Sequence, residues 1–231
     1  MTKQRTTLPR TLLARSVHVA RRLGIVYINN PKVASSTIKL ALQRAEMGDP
    51  DWTPETSVHD RKATALLTYP ELSVEDAPAA LRGRYVFSFV RNPYVRLQSA
   101  YMNKIVWNHA QGRLREAAGF AADTCPSFED FVLAICAQPD AQHNPHWRLQ
   151  AINLSMDTIA YDFIGRLEDF AMDWAWMAGR LDLPFRPERA GKGTGQQYKE
   201  QLCFTPEMQA AVLDKYLPDF NHFGYAPDSL G

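Results

Sequence analysis

The hydrophobic positions of the chain fall into short, fully apolar runs that alternate with longer stretches of helical spacing. The short runs are apolar on both faces of a pleat, which is typical of central parallel strands. The predicted strands are residues 24–29, 85–90 and 159–165. The predicted helices that follow them are residues 36–46, 94–107 and 168–181. Alternating strands and helices indicate an α/β fold with a sheet that is mainly parallel in its centre.

Before the first strand, residues 8–22 predict one more helix. On a helical wheel its apolar side chains lie along one side, and they are Leu12, Leu13, Val17 and Ala20. The sequence contains no internal repeat, no low-complexity tract and no evident linker. We therefore expect a single domain that covers residues 1–231.

The composition is that of a folded globular protein, with 45% hydrophobic and 22% charged residues. It excludes disordered, collagen-like and disulfide-framework proteins. Cys125, Cys136 and Cys203 lack metal-ligand spacing, so we expect reduced, buried thiols. No apolar run approaches the ~18 residues needed to span a bilayer. We expect a cytoplasmic protein without a membrane span.

Basic residues are concentrated in two segments of a chain whose net charge is only +1. Residues 1–45 and 82–115 together hold 16 of the 26 lysines and arginines and none of the 25 acidic residues. A face that is charged only for solubility usually mixes both signs. We therefore expect these segments to contact an anionic ligand, with plain solubility as the alternative.

The loop after the first strand has the chemistry of a phosphate site. It reads Pro31-Lys-Val-Ala-Ser-Ser-Thr37 and places a lysine and three hydroxyls where a strand leads into a helix. Backbone N–H groups and the positive end of the helix dipole favour an anion there. The loop is not a Walker A motif, since GxxxxGK[ST] is absent. An alternative role for Ser35 is to cap the helix.

The loop after the second strand repeats this arrangement with an arginine. Arg91 directly follows the strand, and Ser99 lies two turns into the next helix. A guanidinium can bind phosphate through two parallel hydrogen bonds, and Ser99 can donate to the same group. Two anion sites at the ends of neighbouring strands predict a ligand with two separated phosphates.

Both loops resemble those of sulfotransferases that use 3′-phosphoadenosine 5′-phosphosulfate (PAPS). The similarity is strongest to the carbohydrate sulfotransferases of the chondroitin, dermatan and HNK-1 type and to heparan 2-O-sulfotransferase. Further similar segments, in the family's order, are His146-Trp147, Tyr161-Asp-Phe-Ile-Gly-Arg-Leu-Glu168 and Tyr216-Leu-Pro-Asp-Phe-Asn-His-Phe-Gly-Tyr225. The resemblance implies a P-loop-like, three-layer α/β domain whose central, mainly parallel sheet is flanked by helices.

The resemblance also implies a function, namely transfer of the sulfuryl group of PAPS to a hydroxyl of a carbohydrate or glycan-like acceptor. The residues implied for the 5′-phosphosulfate are Pro31, Lys32, Val33, Ala34, Ser35, Ser36 and Thr37. Arg91 and Ser99 are implied for the 3′-phosphate, whereas Arg96 either contacts the ligand or only stabilises its helix. Lys32 is the candidate catalytic cation, because an ammonium can stabilise charge on the leaving phosphate. No metal and no nucleic acid are expected.

The acceptor hydroxyl needs a general base, and histidine titrates closest to neutral pH. His59 lies between the two anion loops, where related enzymes carry a base or acceptor-contacting histidine, and an exposed loop histidine is the alternative. His146 matches another family motif; it either holds the sugar or a strand end, or acts as the base, for which it ranks second. Trp107 and Trp147 are either sugar platforms or, more commonly for tryptophan, buried side chains.

A late basic loop, residues 189–195, is rich in glycine and lies where sulfotransferases often fold a segment over the nucleotide. Lys192 in it is a candidate for the 3′-phosphate, with a plain surface loop as the alternative.

Two other classes of protein remain as alternatives. A P-loop kinase should show a GK[ST] lysine and an acidic Mg²⁺ ligand at a strand end, where this chain has Asn29 and Arg91. A catalytically silent anion-binding protein would share the basic loops and need no base.

Overall fold

The structure is a computed structural model that describes residues 13, 15–61, 63–68, 75–107, 112–183, 187 and 202–230. The chain divides into two compact units, each made of two segments. The first unit comprises residues 1–90 and 151–192, and the second comprises residues 91–150 and 193–231. Folding as a single domain stays a prediction.

The first unit contains a mixed sheet of four strands in the order β1-β2-β3-β4. The strands are β1 (Val17–Ala20), β2 (Ile25–Ile28), β3 (Tyr85–Val90) and β4 (Phe163–Arg166). β1 pairs with β2 antiparallel, whereas β2, β3 and β4 are parallel. This confirms the predicted α/β class with a sheet that is mainly parallel. β4 begins four residues later than the 159–165 strand predicted for it.

Strand β1 contradicts the predicted helix at residues 8–22 over Val17–Ala20, whereas Leu13, Arg15 and Ser16 are helical. Its four side chains are buried, and it pairs with β2 through a tight turn. That turn ends at Gly24, whose φ of 66° suits glycine and whose N–H donates to the Arg21 carbonyl. Val17 and Val19 are β-branched and favour a pleated surface over a helix. A stretch this short fits both the two-residue period of a strand and the 3.6-residue period of a helix. The prediction was wrong here for that reason.

The helices lie close to their predicted positions. In chain order they are α1 (Ser35–Met47), α2 (Ala77–Ala80), α3 (Pro93–Ala100), α4 (Gly112–Ala117), α5 (Phe128–Ala137), α6 (Gln150–Asn153), α7 (Phe170–Arg180) and α8 (Pro206–Phe223). A π-helical segment, Tyr101–Val106, continues α3. The predicted helix at 94–107 is therefore helical throughout but changes type in its second half.

The core of the first unit is aromatic and includes the first anion loop. Phe87 and Phe89 on β3 both contact Trp174 of α7, at ring-centroid distances of 6.5 and 6.4 Å. Val33, from the loop between β2 and α1, is fully buried in the same cluster. On β4, a Cβ at Gly165 would lie 2.4 Å from the Phe89 ring, so this close approach requires glycine. The loop is therefore anchored in the aromatic core of the unit.

The second unit packs α8 against α3 and α5. Tyr94 of α3 contacts Phe220 of α8 with their ring centroids 5.4 Å apart. The Tyr216 hydroxyl donates to the Trp147 carbonyl at 2.5 Å, and Trp147 is fully buried. Burial excludes Trp147 as a sugar platform and supports its alternative role in the core.

Two of the three cysteines are not buried as predicted. Cys125 and Cys203 are exposed, and Cys136 is half-buried. Cys125 and Cys203 each lie in the loop just before a helix, α5 and α8 respectively, and loops run over the surface.

Candidate functional site

The loop between β2 and α1 has a strained backbone. Lys32 has a φ of 74° and Ala34 a φ of 58°, in the left-handed region that side chains with a Cβ rarely adopt. Each such residue costs on the order of 1 kcal/mol. Left-handed Ala34 followed by helical Ser35 is the kind of sequence that turns successive N–H groups toward one side, as in anion-binding nests. Strained residues persist only where the surrounding packing holds them in place, and they are concentrated at ligand sites.

Helix α1 starts without a side-chain cap. Its N-cap is Ala34, which makes no side-chain cap hydrogen bond. Ser35 is the first helical residue, so its alternative role as a cap is wrong. The first turn also lacks acidic residues. The positive end of α1 therefore has neither a capping side chain at its N-cap nor an acidic residue in its first turn, and such a helix start favours an anion.

A buried polar network lies beneath this loop. The Asn30 side chain donates to the Phe89 carbonyl at 3.2 Å and accepts from Asn153 at 3.3 Å. The Ser88 hydroxyl donates to the Ile28 carbonyl at 2.7 Å. These bonds join the carboxyl ends of β2 and β3, so they fix where the loop starts. Sequence reasoning assigned no role to Asn30 or Asn153, although an asparagine directly after an apolar strand was a usable signal.

His59 lies beside α1 in the first unit. Its Nε2 is 2.8 Å from the Ser36 Oγ, and its Nδ1 is 3.4 Å from the Lys39 Nζ. Ser36 and Lys39 are three residues apart and share one face of α1. The Gln43 side chain of α1 donates to the Val58 carbonyl, which ties the loop that carries His59 to the helix. The structure therefore brings together two residues predicted from separate motifs, Ser36 and His59.

Lys39 is a residue that sequence reasoning missed. Only 5% of its surface is exposed. Burial, with a smaller contribution from the positive charge of Arg61, lowers the pKa of Lys39 to about 8. The signal in the sequence was a lysine one turn into α1, on the same face as a loop hydroxyl.

In the second unit, the Gln150 side chain holds the backbone of Arg91. The Arg91 N–H donates to Gln150 Oε1 at 3.0 Å, and the Arg91 carbonyl accepts from Gln150 Nε2 at 2.7 Å. The backbone N–H of Gln150 donates in turn to the buried Asp219 carboxylate at 2.8 Å. Arg91 is half-buried, and Ser99 is 8% exposed. Gln150 was not predicted, because its contact spans 59 residues of sequence.

Arg96 is a structural residue. It is 1% exposed, and its guanidinium donates to the Arg148 and Pro145 carbonyls at 2.8 and 2.9 Å. Burial lowers the pKa of Arg96, and the nearby Asp219 carboxylate opposes that shift. These bonds hold the turn on both sides of His146, which supports the structural alternative for Arg96.

His146 is held by Asn144 in that turn. The Asn144 Oδ1 lies 2.6 Å from His146 Nδ1 and 3.1 Å from its backbone N. Because a carbonyl oxygen only accepts, Nδ1 carries the proton and the lone pair of the neutral ring is at Nε2. In this tautomer His146 can accept a proton at Nε2, as a general base must.

Some predicted residues lie outside the described residues. They are Lys192 and the rest of the 189–195 loop. Trp107 is described and is 37% exposed, so a sugar-stacking role for it stays a prediction.

Two further features concern the residues that the structure describes, namely metal ligands and membrane spans. Within the described part of the chain, no group of three or more His, Cys, Asp or Glu side chains is placed to hold a metal ion. The helices described here include none that is both long and apolar enough to cross a bilayer.

Comparison with known proteins matches nearly the whole chain, across both units. The family model described as Sulfotransferase family covers residues 15–226. Carbohydrate sulfotransferase 14 of Danio rerio is 29% identical over 242 residues, and that of Homo sapiens is 28% identical over 233. Carbohydrate sulfotransferase 12 of Xenopus laevis is 26% identical over 251 residues.

These three matches cover 96%, 94% and 90% of this chain. They cover 64%, 61% and 60% of the relatives, so the chain spans less than two thirds of their length. No solved structure matches the chain significantly.

Proposed function

Because this chain belongs to the sulfotransferase family, we propose that it moves the sulfuryl group of PAPS to a hydroxyl of a carbohydrate or glycan-like acceptor. The observation that carries the proposal is the first loop, residues 31–37. It combines a lysine, three hydroxyls, two left-handed residues and an uncapped helix start. The acceptor class follows from the similar relatives, which are carbohydrate sulfotransferases.

The first loop fits an anionic group on the donor. PAPS supplies an activated sulfuryl group and a phosphate as its leaving group. We assign the hydroxyls of Ser35 and Ser36 and the amides of α1 to its 5′ end. The Lys32 ammonium stabilises charge as it develops on the leaving phosphate, which makes it a catalytic residue in this proposal.

The second unit supplies groups for the 3′-phosphate in this proposal. Gln150 fixes the Arg91 backbone on both its N–H and its carbonyl, so the guanidinium projects from a defined point. Arg91 and Ser99 are assigned to the 3′-phosphate, and Lys192 stays an additional proposed ligand.

His59 is the proposed base, because its exposed ring lies 2.8 Å from a hydroxyl of the first loop. It takes the acceptor proton as the acceptor oxygen attacks sulfur. His146 ranks second, since its Nε2 also has the correct tautomer.

The kinase alternative lacks its acidic ligand directly after β2 and β3, where Asn29 and Arg91 stand. A thermal-shift comparison of 3′,5′-adenosine bisphosphate, adenosine 5′-phosphate and Mg-ATP tests the donor class. We expect the bisphosphate to raise Tm most, because ligand binding stabilises the folded state by mass action. A larger shift with Mg-ATP would overturn the PAPS proposal in favour of the kinase.

His59→Ala tests the base and separates an enzyme from a silent anion-binding protein. We expect kcat to fall ~100-fold or more, the usual scale of general-base catalysis, with bisphosphate affinity unchanged. His222→Ala, at another exposed histidine in the last turn of α8, is the matched control. A kcat that falls only in His146→Ala would exchange the two base assignments.

A further inference from the structure

The hydrogen bonds of His59 are incompatible with a base as long as Lys39 is charged. An ammonium group only donates, so a charged Lys39 requires the His59 Nδ1, 3.4 Å away, to accept. A neutral ring that accepts at Nδ1 carries its proton at Nε2. That Nε2–H then donates to the Ser36 Oγ at 2.8 Å. In this state His59 has no lone pair to take a proton from the acceptor.

We propose that Lys39 is a positioning residue that acts as a neutral amine, accepting the His59 Nδ1–H so that the Nε2 lone pair faces the acceptor hydroxyl. The inference rests on the proposed function, in which His59 is the base. The same two distances serve this state with the donors reversed: Nδ1–H donates to the amine, and the Ser36 hydroxyl or the acceptor hydroxyl donates to Nε2. Lys39 would then have the role that a carboxylate has in other histidine-base sites.

The surroundings of Lys39 favour the neutral amine. The side chain is 5% exposed, and desolvation penalises its charged form. Arg61, from the loop that carries His59, adds positive charge, and together these effects lower the pKa of Lys39 to about 8. Another titratable neighbour among the described residues is His18 of β1, which is 4% exposed and whose pKa is lowered well below its usual value by burial.

The proton and electron balance of the step is simple. The acceptor oxygen forms a bond to sulfur as its proton moves to His59 Nε2. The bond between sulfur and the bridging phosphate oxygen breaks, and the leaving phosphate keeps that electron pair. The imidazolium that forms donates its Nδ1–H to the neutral Lys39 amine, whereas a charged Lys39 would repel it.

In this proposal kcat depends on pH through the protonation of Lys39. Below the lowered pKa of Lys39 the ammonium holds His59 in the inactive Nε2–H tautomer, and above it the active tautomer forms. The acid limb of kcat should therefore titrate near pH 8, where Lys39 loses its proton. A histidine base acting alone would give a limb near its ordinary pKa of about 6.5.

Nitrogen-15 NMR of the histidine side chains in the whole protein tests the pairing without any activity assay. In the wild type, we expect the proton on the neutral His59 ring to move from Nε2 to Nδ1 as the pH rises through the Lys39 titration. In Lys39→Arg the guanidinium stays charged, so the neutral His59 ring should keep its proton on Nε2 over the whole pH range in which the ring is neutral. The same tautomer throughout the wild-type titration would overturn the proposal.

Kinetics of three variants add an independent readout. Lys39→Arg should lower kcat ~100-fold across the pH range. The charged guanidinium keeps the His59 proton on Nε2, so Nε2 has no lone pair to act as a base. Lys39→Gln offers an amide oxygen that accepts Nδ1–H without titrating, so its acid limb should move to lower pH. Lys104→Arg makes the same change as the first variant at another partly buried lysine, in the π-helical segment, and should leave the profile unchanged.

Failure of this inference is distinguishable from failure of the proposed function. If His59→Ala keeps wild-type kcat, the base assignment itself is wrong. If His59→Ala is impaired but Lys39→Gln keeps the wild-type acid limb, His59 is the base and the role proposed for Lys39 is overturned.

Discussion

The two loops that follow β2 and β3 begin alike but are built differently. After β2, the chain passes through left-handed Lys32 and Ala34 into a helix that no side chain caps. After β3, the Asn92 side chain accepts from the N–H groups of Tyr94 and Val95, and Pro93 has no N–H. Two amides at the start of α3 are thus satisfied by the N-cap side chain, whereas the N-cap of α1 makes no side-chain hydrogen bond.

This difference assigns different binding groups to the two loops. The first can bind an anion with its backbone, and catalysis is the role proposed for its side chains. The second has to bind with side chains, which is the role proposed for Arg91 and Ser99. Strain accompanies only the backbone site, because residues of the second loop have no left-handed φ among the described positions.

The largest effect is expected from Lys32→Ala. Turnover should fall ~1,000-fold, since removing one preorganised donor from a developing charge has an effect of this order. Affinity for 3′,5′-adenosine bisphosphate should fall much less, because the ammonium acts mainly on the transition state. Single-turnover rates and calorimetric binding measure the two effects, with Lys104→Ala as the control. Wild-type turnover in Lys32→Ala would remove Lys32 from the mechanism.

Arg91→Ala should act on binding. We expect affinity for 3′,5′-adenosine bisphosphate to fall ~10- to 100-fold, the size of a lost charge-assisted hydrogen bond. Affinity for adenosine 5′-phosphate should hardly change, since that nucleotide lacks the 3′-phosphate. Arg82→Ala, an exposed arginine just before β3, is the matched control. Equal losses for both nucleotides would mean that Arg91 supports the loop and does not contact the ligand.

The stability of the two helix starts sharpens the comparison. Asn92→Ala should lower the free energy of unfolding by about 1 kcal/mol or more, because a helix cap is lost. Its side chain also donates to the Ser229 carbonyl and hydroxyl, which adds to the loss. Ser35→Ala removes no cap and should stay within about 0.5 kcal/mol of wild type. Urea unfolding that gave equal losses in the two variants would contradict the distinction.

The smallest effect concerns the strain itself. Ala34→Gly should raise the unfolding free energy by up to about 1 kcal/mol, because glycine adopts a left-handed φ without the Cβ penalty. Ala41→Gly, inside α1, should lower it by about 1 kcal/mol or more. A loss in Ala34→Gly as large as that in Ala41→Gly would show that the left-handed residue stores no strain.

The sequence predicted what depends on local patterns. All six residues of β3 were predicted, and α1 was predicted to within one residue at each end, because both are long and strongly patterned. β1 was missed, since a four-residue stretch with three apolar residues fits both the strand and the helix period, and its pairing with β2 decides the structure. The loops were located from residue types that follow a strand, a signal that is also local.

The supporting groups could not be predicted because their contacts are distant in sequence. Gln150 holds Arg91 across 59 residues, and Asn153 contacts Asn30 across 123. The residue types glutamine and asparagine do not by themselves indicate which distant residue they contact. Lys39 differs, since its place on the Ser36 face was predictable but its burial and its contact with His59 depend on the fold.

The most direct test of the account is a transfer assay with radiolabelled PAPS over a panel of glycans. For the wild type we predict label in at least one glycan and one molecule of 3′,5′-adenosine bisphosphate per sulfate transferred, without added metal. Lys32→Ala and His59→Ala should transfer little label, and His222→Ala should match the wild type. Binding of PAPS by the wild type with no transfer to any glycan, or transfer undiminished in Lys32→Ala, would contradict the central claim.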